Sequence, residues 1–335
     1  MMRGRKYNRL IFLAVLLLVM TAGCSWGQGE EQDSREQEDL IVVGVSQVGS
    51  ESVWRTANTA SIQDVFTREN GYFLMFDNAR QKQENQIRAV RRFISQRVDY
   101  IVISPIVETG WDTVFREAKE AGIPLIVMDR EADVSSALYT CWVGSDFVEE
   151  GVKAGEWLED YLAGTRFNQD DVNIVVLQGT AGSSAMLGRT SGFESVVQKH
   201  PNWKILEQVD ADFTTAKGKE EMQRLLKKYP SIDVVVSQND DMTFGALEAI
   251  EEAGKTAGTG GEITVISFDG VSAALEKVKA GTIQADIECN PLLGPYIEEI
   301  IQELEQGRVP EKEYYVEEKV FTQKNVLSVL GDRAY

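Results

Sequence analysis

The sequence predicts an α/β protein with two doubly wound, Rossmann-like lobes, each built on a parallel sheet. Three observations carry this prediction. Strand-like and helix-like segments alternate from residue 40 onward, a pattern typical of parallel sheets covered by helices on both faces. Five of the strand-like segments are continuous apolar runs, as expected of strands buried on both faces. The chain has 335 residues, more than the ~250–300 residues at which a single core usually stops growing.

The first series of elements occupies about 90 residues. Apolar runs and helical periodicity predict strands at 40–45, 72–76, 100–104 and 125–128, separated by helices at 52–69, 81–96 and 111–121. Gly122 follows the last of these helices, where a left-handed helix C-cap is expected. These elements are three and a half βα units, which predicts one doubly wound lobe.

A second series of similar length begins near residue 146. It predicts strands at 172–177, 204–209, 232–236 and 263–268, with helices at 148–162, 184–199, 217–228 and 242–253. Gly254 is expected to cap a helix, and Pro201 and Pro230 follow helix ends. Residues 272–335 are too short for a third domain, so their helix–strand–helix pattern (275–279, 283–288, 297–304) must complete the two sheets. The chain therefore crosses between the lobes more than once, which predicts a hinge and a cleft.

The amino terminus predicts export. Residues 1–23 combine four positive charges, a short apolar stretch at 10–20 and small residues before Cys24, as in a signal peptide. Thr-Ala-Gly-Cys at 21–24 resembles a bacterial lipobox, in which Cys24 is lipidated after cleavage. Thr21 departs from the leucine usual there, and an ordinary signal peptide is the alternative. Residues 24–39 are polar and acidic, which predicts a disordered tether. We therefore expect an extracytoplasmic lipoprotein, either anchored to the outer face of the cell membrane or periplasmic.

Charge and cysteine content exclude several classes of protein. Loss of residues 1–23 takes the formal net charge from −19 to about −23, and such a surface repels nucleic acid. A transcriptional regulator of the LacI type would need a helix-turn-helix and a basic face, neither of which the sequence offers. Besides Cys24, only Cys141 and Cys289 are present, and the sequence leaves open whether they pair.

Each of the five apolar runs stops on polar residues that are expected to face a shared cleft. These are Ser46, the pair Asp129 and Arg130, Gln178, the group Gln238, Asn239 and Asp240, and Asp269. Ligands of open α/β sheets bind beyond the carboxyl ends of the strands. Carboxylates accept hydrogen bonds from hydroxyl groups and guanidinium groups donate to sugar oxygens, so the sequence predicts a site for a small polyhydroxylated molecule.

Catalytic residues are not in evidence. His200 is the only histidine and lies at a predicted helix end, where a Ser-His-Asp triad is not expected. No Cys/His cluster has metal-ligand spacing, and Gly179-Thr-Ala-Gly-Ser-Ser lacks the lysine of a phosphate-binding loop. We therefore expect a binding protein and not an enzyme, with no cofactor and no metal.

Several segments of the chain resemble the type I periplasmic sugar-binding proteins of ABC importers, a family that includes the ribose-binding and galactofuranose-binding groups. The most specific segments are SQVGSESVWRTA at 46–57 and QKQENQI at 81–87, followed by Gly110-Trp111, Met128-Asp129-Arg130, LQGT at 177–180, QNDDM at 238–242 and FDG at 268–270. The first two are most similar to the galactofuranose-binding group. The resemblance covers residues 40–326. It implies a three-segment hinge near 144–146, 288–290 and 315–317, an N-terminal lobe of 40–145 plus 290–315, and a C-terminal lobe of 146–289 plus 316–335.

The resemblance also implies a set of ligand-binding residues. They are Glu51, Trp54, Arg55, Asp129, Arg130, Arg189, Asn239 and Asp269. The residues alone leave alternatives open, because Glu51 and Arg55 form an i,i+4 pair, Asn239 can close a turn, and Trp54 can pack in the core. Trp111 and Phe213 are weaker stacking candidates, with core packing as the default.

The function implied is that of a solute-binding lipoprotein of an ABC-type sugar importer. Two lobes would close around a monosaccharide, galactofuranose or a similar aldose, and a monomeric protein would deliver it to a membrane permease and so indirectly to its ATPase. The alternative is an extracytoplasmic sugar sensor that feeds a membrane kinase or chemoreceptor. The sequence decides neither the sugar nor its ring form.

Overall fold

The structure is a computed structural model that describes residues 40–163 and 171–335. The predicted signal peptide, lipidation site and tether lie outside the described residues. No helix among those described is long and apolar enough to cross a membrane.

The described residues form twelve strands and nine α-helices. The strands are β1 (Ile41–Gln47), β2 (Tyr72–Asn78), β3 (Tyr100–Ile103), β4 (Leu125–Met128), β5 (Cys141–Gly144), β6 (Val172–Gln178), β7 (Trp203–Asp210), β8 (Val234–Ser237), β9 (Thr264–Asp269), β10 (Ala285–Glu288), β11 (Glu313–Tyr315) and β12 (Val320–Phe321). The helices are α1 (Val53–Val65), α2 (Gln83–Gln96), α3 (Asp112–Glu120), α4 (Phe147–Ala163), α5 (Ser184–Val197), α6 (Thr215–Lys228), α7 (Asp240–Glu252), α8 (Ser272–Ala280) and α9 (Gly294–Glu305).

The strands build two six-stranded sheets, and this confirms the predicted fold class. The first sheet has the order β11-β5-β4-β3-β1-β2 and the second β12-β10-β9-β8-β6-β7. All neighbours pair in parallel except β10 and β12, which are antiparallel. We call the two sheets with their helices the first and second lobes. The chain passes between them three times, after β5, after β10 and between β11 and β12, while the residue boundaries given above for the lobes stay a prediction.

Strands buried on both faces explain why the apolar runs in the sequence are continuous. In β3, Val102 faces one core cluster of the first lobe, while Ile101 and Ile103 face the cluster on the opposite side of the sheet. The second lobe has the same arrangement, with separate clusters on its two faces. Helices therefore cover both faces of each sheet, and the carboxyl ends of the strands are left for the cleft.

Helices α4 and α5 pack unusually closely because glycines face each other across their interface. A Cβ atom on Gly192 would lie 2.1 Å from the Val148 carbonyl oxygen, and one on Gly151 would lie 2.4 Å from the Arg189 carbonyl oxygen. Side chains larger than hydrogen would force the two helices apart. This close approach holds Phe147 at the start of α4 and Arg189 on α5 next to each other at the cleft.

The two cysteines outside the amino-terminal segment are not bridged. Cys141 and Cys289 are both free and buried, which answers the question that the sequence left open. Gly122 and Gly254 have φ values of 74° and 71°, as predicted for helix C-caps.

Candidate ligand-binding site

A small cavity lies between the two lobes, at the carboxyl ends of their strands. Its lining combines charged, amide and aromatic side chains: Glu51, Ser52, Trp54, Arg55, Asp129, Arg130, Phe147, Ala185, Arg189, Phe213, Asn239, Asp269 and Cys289. All eight residues that the sequence predicted to bind ligand line this cavity, as does Phe213. Their ligand contacts themselves stay a prediction.

Five residues that the sequence placed near the cleft do not line the cavity: Trp111, Gln178, Ser46, Gln238 and Asp240. Trp111 is fully buried in the core of the first lobe, beside Phe115, and its indole nitrogen donates to the Val107 carbonyl at 2.6 Å. It therefore packs in the core and does not line the cavity. Gln178 donates to Thr190 and Gln208 within the second lobe, and Ser46 is buried without lining the cavity.

The two aspartates at strand ends have an unusual backbone. Asp129 follows β4 with a φ of 58°, and Asp269 ends β9 with a φ of 105°. Positive φ is uncommon outside glycine, and aspartate is among the residues that tolerate it best. Such strain persists where the surrounding structure holds it and is concentrated at functional sites. In both cases the turn directs a carboxylate into the cavity.

Arg55 is enclosed by two carboxylates of the first lobe. Its Nε donates to Glu51 Oε1 at 3.0 Å and its NH1 donates to Asp129 Oδ2 at 2.6 Å. Ser104 Oγ donates to the same Asp129 oxygen at 2.8 Å. Burial disfavours the charge of Arg55, but Asp129 and Glu51 outweigh burial and raise its pKa above the ordinary value. The hydrogen-bond donors of the Arg55 guanidinium are therefore largely occupied by groups of the protein itself.

Arg130 is less well compensated. Its NH1 donates to the Ile106 carbonyl at 3.0 Å, while its nearest carboxylate, on Glu51, is 4.0 Å from NH2. Burial, together with repulsion from Arg55, lowers the pKa of Arg130 to about 10. The group stays protonated at neutral pH, and we infer that it has donors to offer to a ligand. Its guanidinium carbon also lies 5.2 Å from the centre of the Phe213 ring of the second lobe, within cation–π range.

Arg189 is the corresponding cation of the second lobe. Its Nε donates to Glu150 Oε2 at 2.6 Å, and its NH2 lies 3.5 Å from Asp269 Oδ1. The rings of Phe147 and Phe268 lie within 5.4 Å of its guanidinium carbon. Burial raises the pKa of Asp269 well above its ordinary value, an effect that Arg189 opposes. The result is a buried carboxyl group next to a fixed guanidinium at the wall of the cavity.

Asn239 and Trp54 each combine a structural contact with a place at the cavity. Asn239 caps α7, because its Oδ1 accepts from the Met242 amide at 2.9 Å, and its Nδ2 donates to the Phe213 carbonyl at 3.2 Å. The Trp54 indole nitrogen donates to the Cys289 carbonyl at 2.7 Å. The turn-closing and packing alternatives of the sequence therefore describe these two residues correctly, while both still face the cavity.

Four residues of the lining were not predicted from the sequence: Ser52, Phe147, Ala185 and Cys289. Ser52 is the N-cap of α1, where its Oγ accepts from the Arg55 amide at 3.0 Å, and a serine before a helical pattern is a signal that reveals such a residue. Phe147 and Cys289 follow crossovers between the lobes, and only the three-dimensional path of the chain brings them to the cleft.

Hydrogen bonds between the lobes close the cavity at its rim. The Val53 amide donates to Asp241 Oδ2 at 2.9 Å, the Glu131 amide to Ser184 Oγ at 2.8 Å, and the Glu108 amide to the Gly182 carbonyl at 3.0 Å. The structure therefore represents the two lobes in contact. A ligand inside would be surrounded by groups of both lobes.

The pairing of charges in the lining indicates which kind of ligand the cavity can hold. Its lining carries three guanidinium groups and three carboxyl groups, with Glu150 behind Arg189. Opposite charges that compensate each other disfavour a strongly charged ligand, while the donors and acceptors that remain suit hydroxyl groups. His200 is not part of this lining and stacks on Trp203 with ring centres 4.1 Å apart.

Fold and cavity together define a two-lobed binding protein, and comparison with known proteins gives its family. Residues 43–292 match the family described as the periplasmic binding protein domain, and the chain belongs to this family. It is 40% identical over 277 residues to the galactofuranose-binding protein of Escherichia coli K12, which covers 81% of this chain and 85% of that protein. The resemblance found in the sequence is thereby confirmed.

Two solved structures are similarly close. One is a Mycobacterium smegmatis protein in complex with β-D-fucofuranose, with 42% identity and a TM-score of 0.84 over 88% of this chain and 95% of that one. The other is the binding component of the arabinose ABC transporter of Shewanella sp. ANA-3, bound to α- and β-L-arabinofuranose. It has 40% identity and a TM-score of 0.81 over the same shares of the two chains.

Proposed function

We propose that this protein is the extracytoplasmic solute-binding lipoprotein of an ABC-type sugar importer and that it binds an aldose in its furanose form. The proposed ligand is galactofuranose or a similar sugar. The observation that carries the proposal is the small closed cavity, whose arginines and carboxylates compensate each other around a space for a neutral ligand. The relatives named above support the furanose form, because one is a galactofuranose-binding protein and the other two hold fucofuranose and arabinofuranose.

The mechanism follows from the position of the cavity between the lobes. A sugar that contacts Asp129 and Arg130 on one side and Arg189 and Asp269 on the other stabilises the closed arrangement in proportion to its extra contacts there. The closed protein would then dock on a permease, and reopening would release the sugar. Permease and ATPase genes beside this gene would support delivery. A histidine kinase gene in their place would contradict delivery and favour the sensor alternative.

A ligand screen tests the proposed sugar class. Pentoses and hexoses that populate furanose forms, among them L-arabinose, D-fucose and D-galactose, are expected to raise the melting temperature, because a ligand at ~100 times its Kd stabilises the folded state by ~2.7 kcal/mol. The measurement is a thermal-shift series, with methyl pyranosides of the same sugars as controls because they are locked in the six-membered ring. A response to the locked pyranosides equal to that of the free sugars would contradict the furanose assignment.

The lipid anchor rests on Cys24. Replacing Cys24 by alanine is expected to release the mature protein from membranes, since the residue that would carry the lipid is lost. The readout is fractionation of cells into membrane and soluble material, with Cys141→Ala as the matched control that removes a buried thiol of the folded body. Continued sedimentation with membranes of Cys24→Ala protein that has lost residues 1–23 would refute the anchor.

A further inference from the structure

A cluster of polar side chains lies where the chain passes between the lobes. Ser145 follows β5, Cys289 and Asn290 follow β10, and Glu318 lies between β11 and β12, so each of the three crossovers contributes to the cluster. Glu150, in the first turn of α4, completes it. One carboxylate oxygen of Glu150, one of Glu318 and Cys289 Sγ lie within 4.8 Å of one another. The proposed ligand contacts do not include this cluster.

Hydrogen bonds to Glu318 join the three crossovers. Its Oε1 accepts from Ser145 Oγ at 2.5 Å and from the Asn290 amide at 2.7 Å. Ser145 Oγ also lies 3.3 Å from Cys289 Sγ. One oxygen of Glu318 is thus held by the first and second crossovers, while the residue itself belongs to the third.

Glu150 connects the same cluster to the cavity. Its Oε2 accepts from Arg189 Nε at 2.6 Å. Its Oε1 is fully buried, and among the described residues no hydrogen bond from an amide, hydroxyl or guanidinium group reaches it. A buried carboxylate oxygen without a donor is costly. The groups close to Glu150 that can supply a proton are the carboxyl group of Glu318 and the thiol of Cys289.

Repulsion between the two carboxylates favours one shared proton on Glu150 and Glu318. Two ionised carboxylates this close and this buried repel each other strongly. Arg189 is the cation paired with Glu150 among the described residues, and it is shared with Asp269. Burial and the charge of Glu150 raise the pKa of Glu318 to about 9, and burial raises the pKa of Glu150. The other titratable neighbours are the Cys289 thiol and the Asp269 carboxyl group. Burial raises the pKa of both, and the thiol stays protonated.

We propose that Glu150 and Glu318 share one proton, that this shared proton positions Arg189 at the cavity wall through Glu150, and that closure of the lobes on a ligand takes the proton up from solvent. The last part rests on the proposed function. Hinge residues absorb the backbone rotation when lobes separate. Glu318 lies on one of the crossovers, so its distance to Glu150 depends on the angle between the lobes. The two carboxyl groups can therefore share a proton only when the lobes are closed. Glu150 and Glu318 are positioning residues in this scheme.

The sign of the pH dependence follows from the raised pKa. An exposed glutamate releases its proton above its ordinary pKa of 4.5, whereas Glu318 in the closed fold keeps its proton up to pH about 9. The stabilising contribution of the pair is therefore complete at pH values below the ordinary pKa and is lost as pH rises toward 9. One retained proton changes the unfolding equilibrium constant by up to about tenfold per pH unit.

The shared proton is tested first without any sugar. The unfolding equilibrium constant is measured by denaturant titration of the ligand-free full chain between pH 6 and 8. For the wild type it is expected to rise more steeply with pH than for Glu318→Gln, by up to about tenfold per unit, because glutamine mimics the protonated acid. Glu317→Gln is the matched control, since Glu317 is the exposed neighbour, and it should behave as the wild type. Equal slopes for Glu318→Gln and the wild type would overturn the proposal.

A second buried pair has to be separated from the first. Asp240 and Asp286 are also fully buried together, and burial raises the pKa of Asp286 to about 8. Asp286→Asn should remove the part of the pH slope that comes from the Asp240–Asp286 pair. When Glu318→Gln is added to the Asp286→Asn protein, the slope should fall again by the same amount as in the wild type. If Glu318→Gln does not fold, Glu150→Gln is measured instead and should likewise flatten the slope. If a chelator abolishes the pH slope, the cluster binds a metal ion and the proposal of a shared proton is overturned.

Proton uptake on binding is tested by calorimetric titration with L-arabinose in buffers of different ionisation enthalpy at pH 8. The wild type should take up a proton on binding and Glu318→Gln should not, with the difference approaching one proton per sugar. Equal uptake by the two proteins would overturn the coupling to closure. If L-arabinose binds neither protein, the titration is repeated with D-fucose and D-galactose. If none of the three binds, the furanose proposal is contradicted, and the unfolding measurements still decide whether the proton is shared.

Discussion

Replacing Arg189 by methionine is expected to destabilise the protein by about 3–5 kcal/mol, the range found when one partner of a buried ion pair is removed. Arg189 is 3% exposed and donates to Glu150 and to the Gln238 carbonyl. Methionine fills much of the same apolar space between Phe147 and Phe268 but leaves both acceptors without a donor. The measurement is the midpoint of unfolding in guanidinium chloride at pH 8, where Glu150 has the greatest tendency to be ionised.

A double variant separates the loss of the cation from the loss of packing. Arg189→Met combined with Glu150→Gln removes the uncompensated carboxylate and should recover a large part of the lost stability, because replacement of a complete buried pair is often nearly neutral. Arg224→Met is the surface control, since Arg224 is also paired with glutamates but lies exposed on α6. It should change stability by less than about 1 kcal/mol. An Arg189→Met protein as stable as this control would contradict the assignment.

Much of the candidate site was predictable because local signals mark strand ends. A buried parallel strand is a continuous apolar run, so the first polar residue after the run marks the end of the strand. Asp129 after Met128 and Asp269 after Phe268 mark the edge of the sheet in this way. The topology of open sheets then places such residues around one cleft. The pattern does not show which of them point inward, and Gln178 illustrates this, because it bonds within its own lobe.

The rest of the site depends on contacts between distant parts of the chain. Glu150 and Cys289 are separated along the sequence but meet at the crossovers, and nothing in their local sequence indicates this. The strands β5, β11 and β12 are two to four residues long and form only by pairing with longer neighbours, so periodicity does not reveal them. Trp111 was a stacking candidate by residue type alone, whereas its burial follows from packing on Phe115.

Pairing within the site also indicates which cation has donors left for a ligand. Arg55 contacts two carboxylates directly, and Arg189 contacts Glu150 and the Gln238 carbonyl. Arg130 makes one hydrogen bond to a carbonyl and lies farther from any carboxylate. Asp129 therefore has two roles, since its carboxylate accepts a hydrogen bond from Arg55 and also lies beside Arg130 in the lining. A change at Asp129 disturbs both the lining and its support.

Replacing Asp129 by alanine is expected to weaken binding by at least about 2 kcal/mol, or about 30-fold in Kd, for the sugar selected by the thermal-shift screen. Three groups lose an acceptor: Arg55 NH1, Ser104 Oγ and, on our proposal, a hydroxyl of the sugar. Alanine also fits poorly at a φ of 58°. Isothermal titration calorimetry gives the affinity, and unfolding in urea shows whether the variant is folded.

Asp129→Asn separates the charge from the backbone, because asparagine tolerates a positive φ as aspartate does. If the carboxylate itself binds the ligand, Asn should lose most of the affinity that Ala loses while remaining closer to the wild type in stability. Asp133→Ala, at an exposed aspartate on the loop that follows, should leave the affinity unchanged. An Asp129→Asn protein with wild-type affinity and an Asp129→Ala protein with lost affinity would assign Asp129 to the support of the backbone. The ligand contact would then fall to Arg130, whose donors are the least engaged in the cavity.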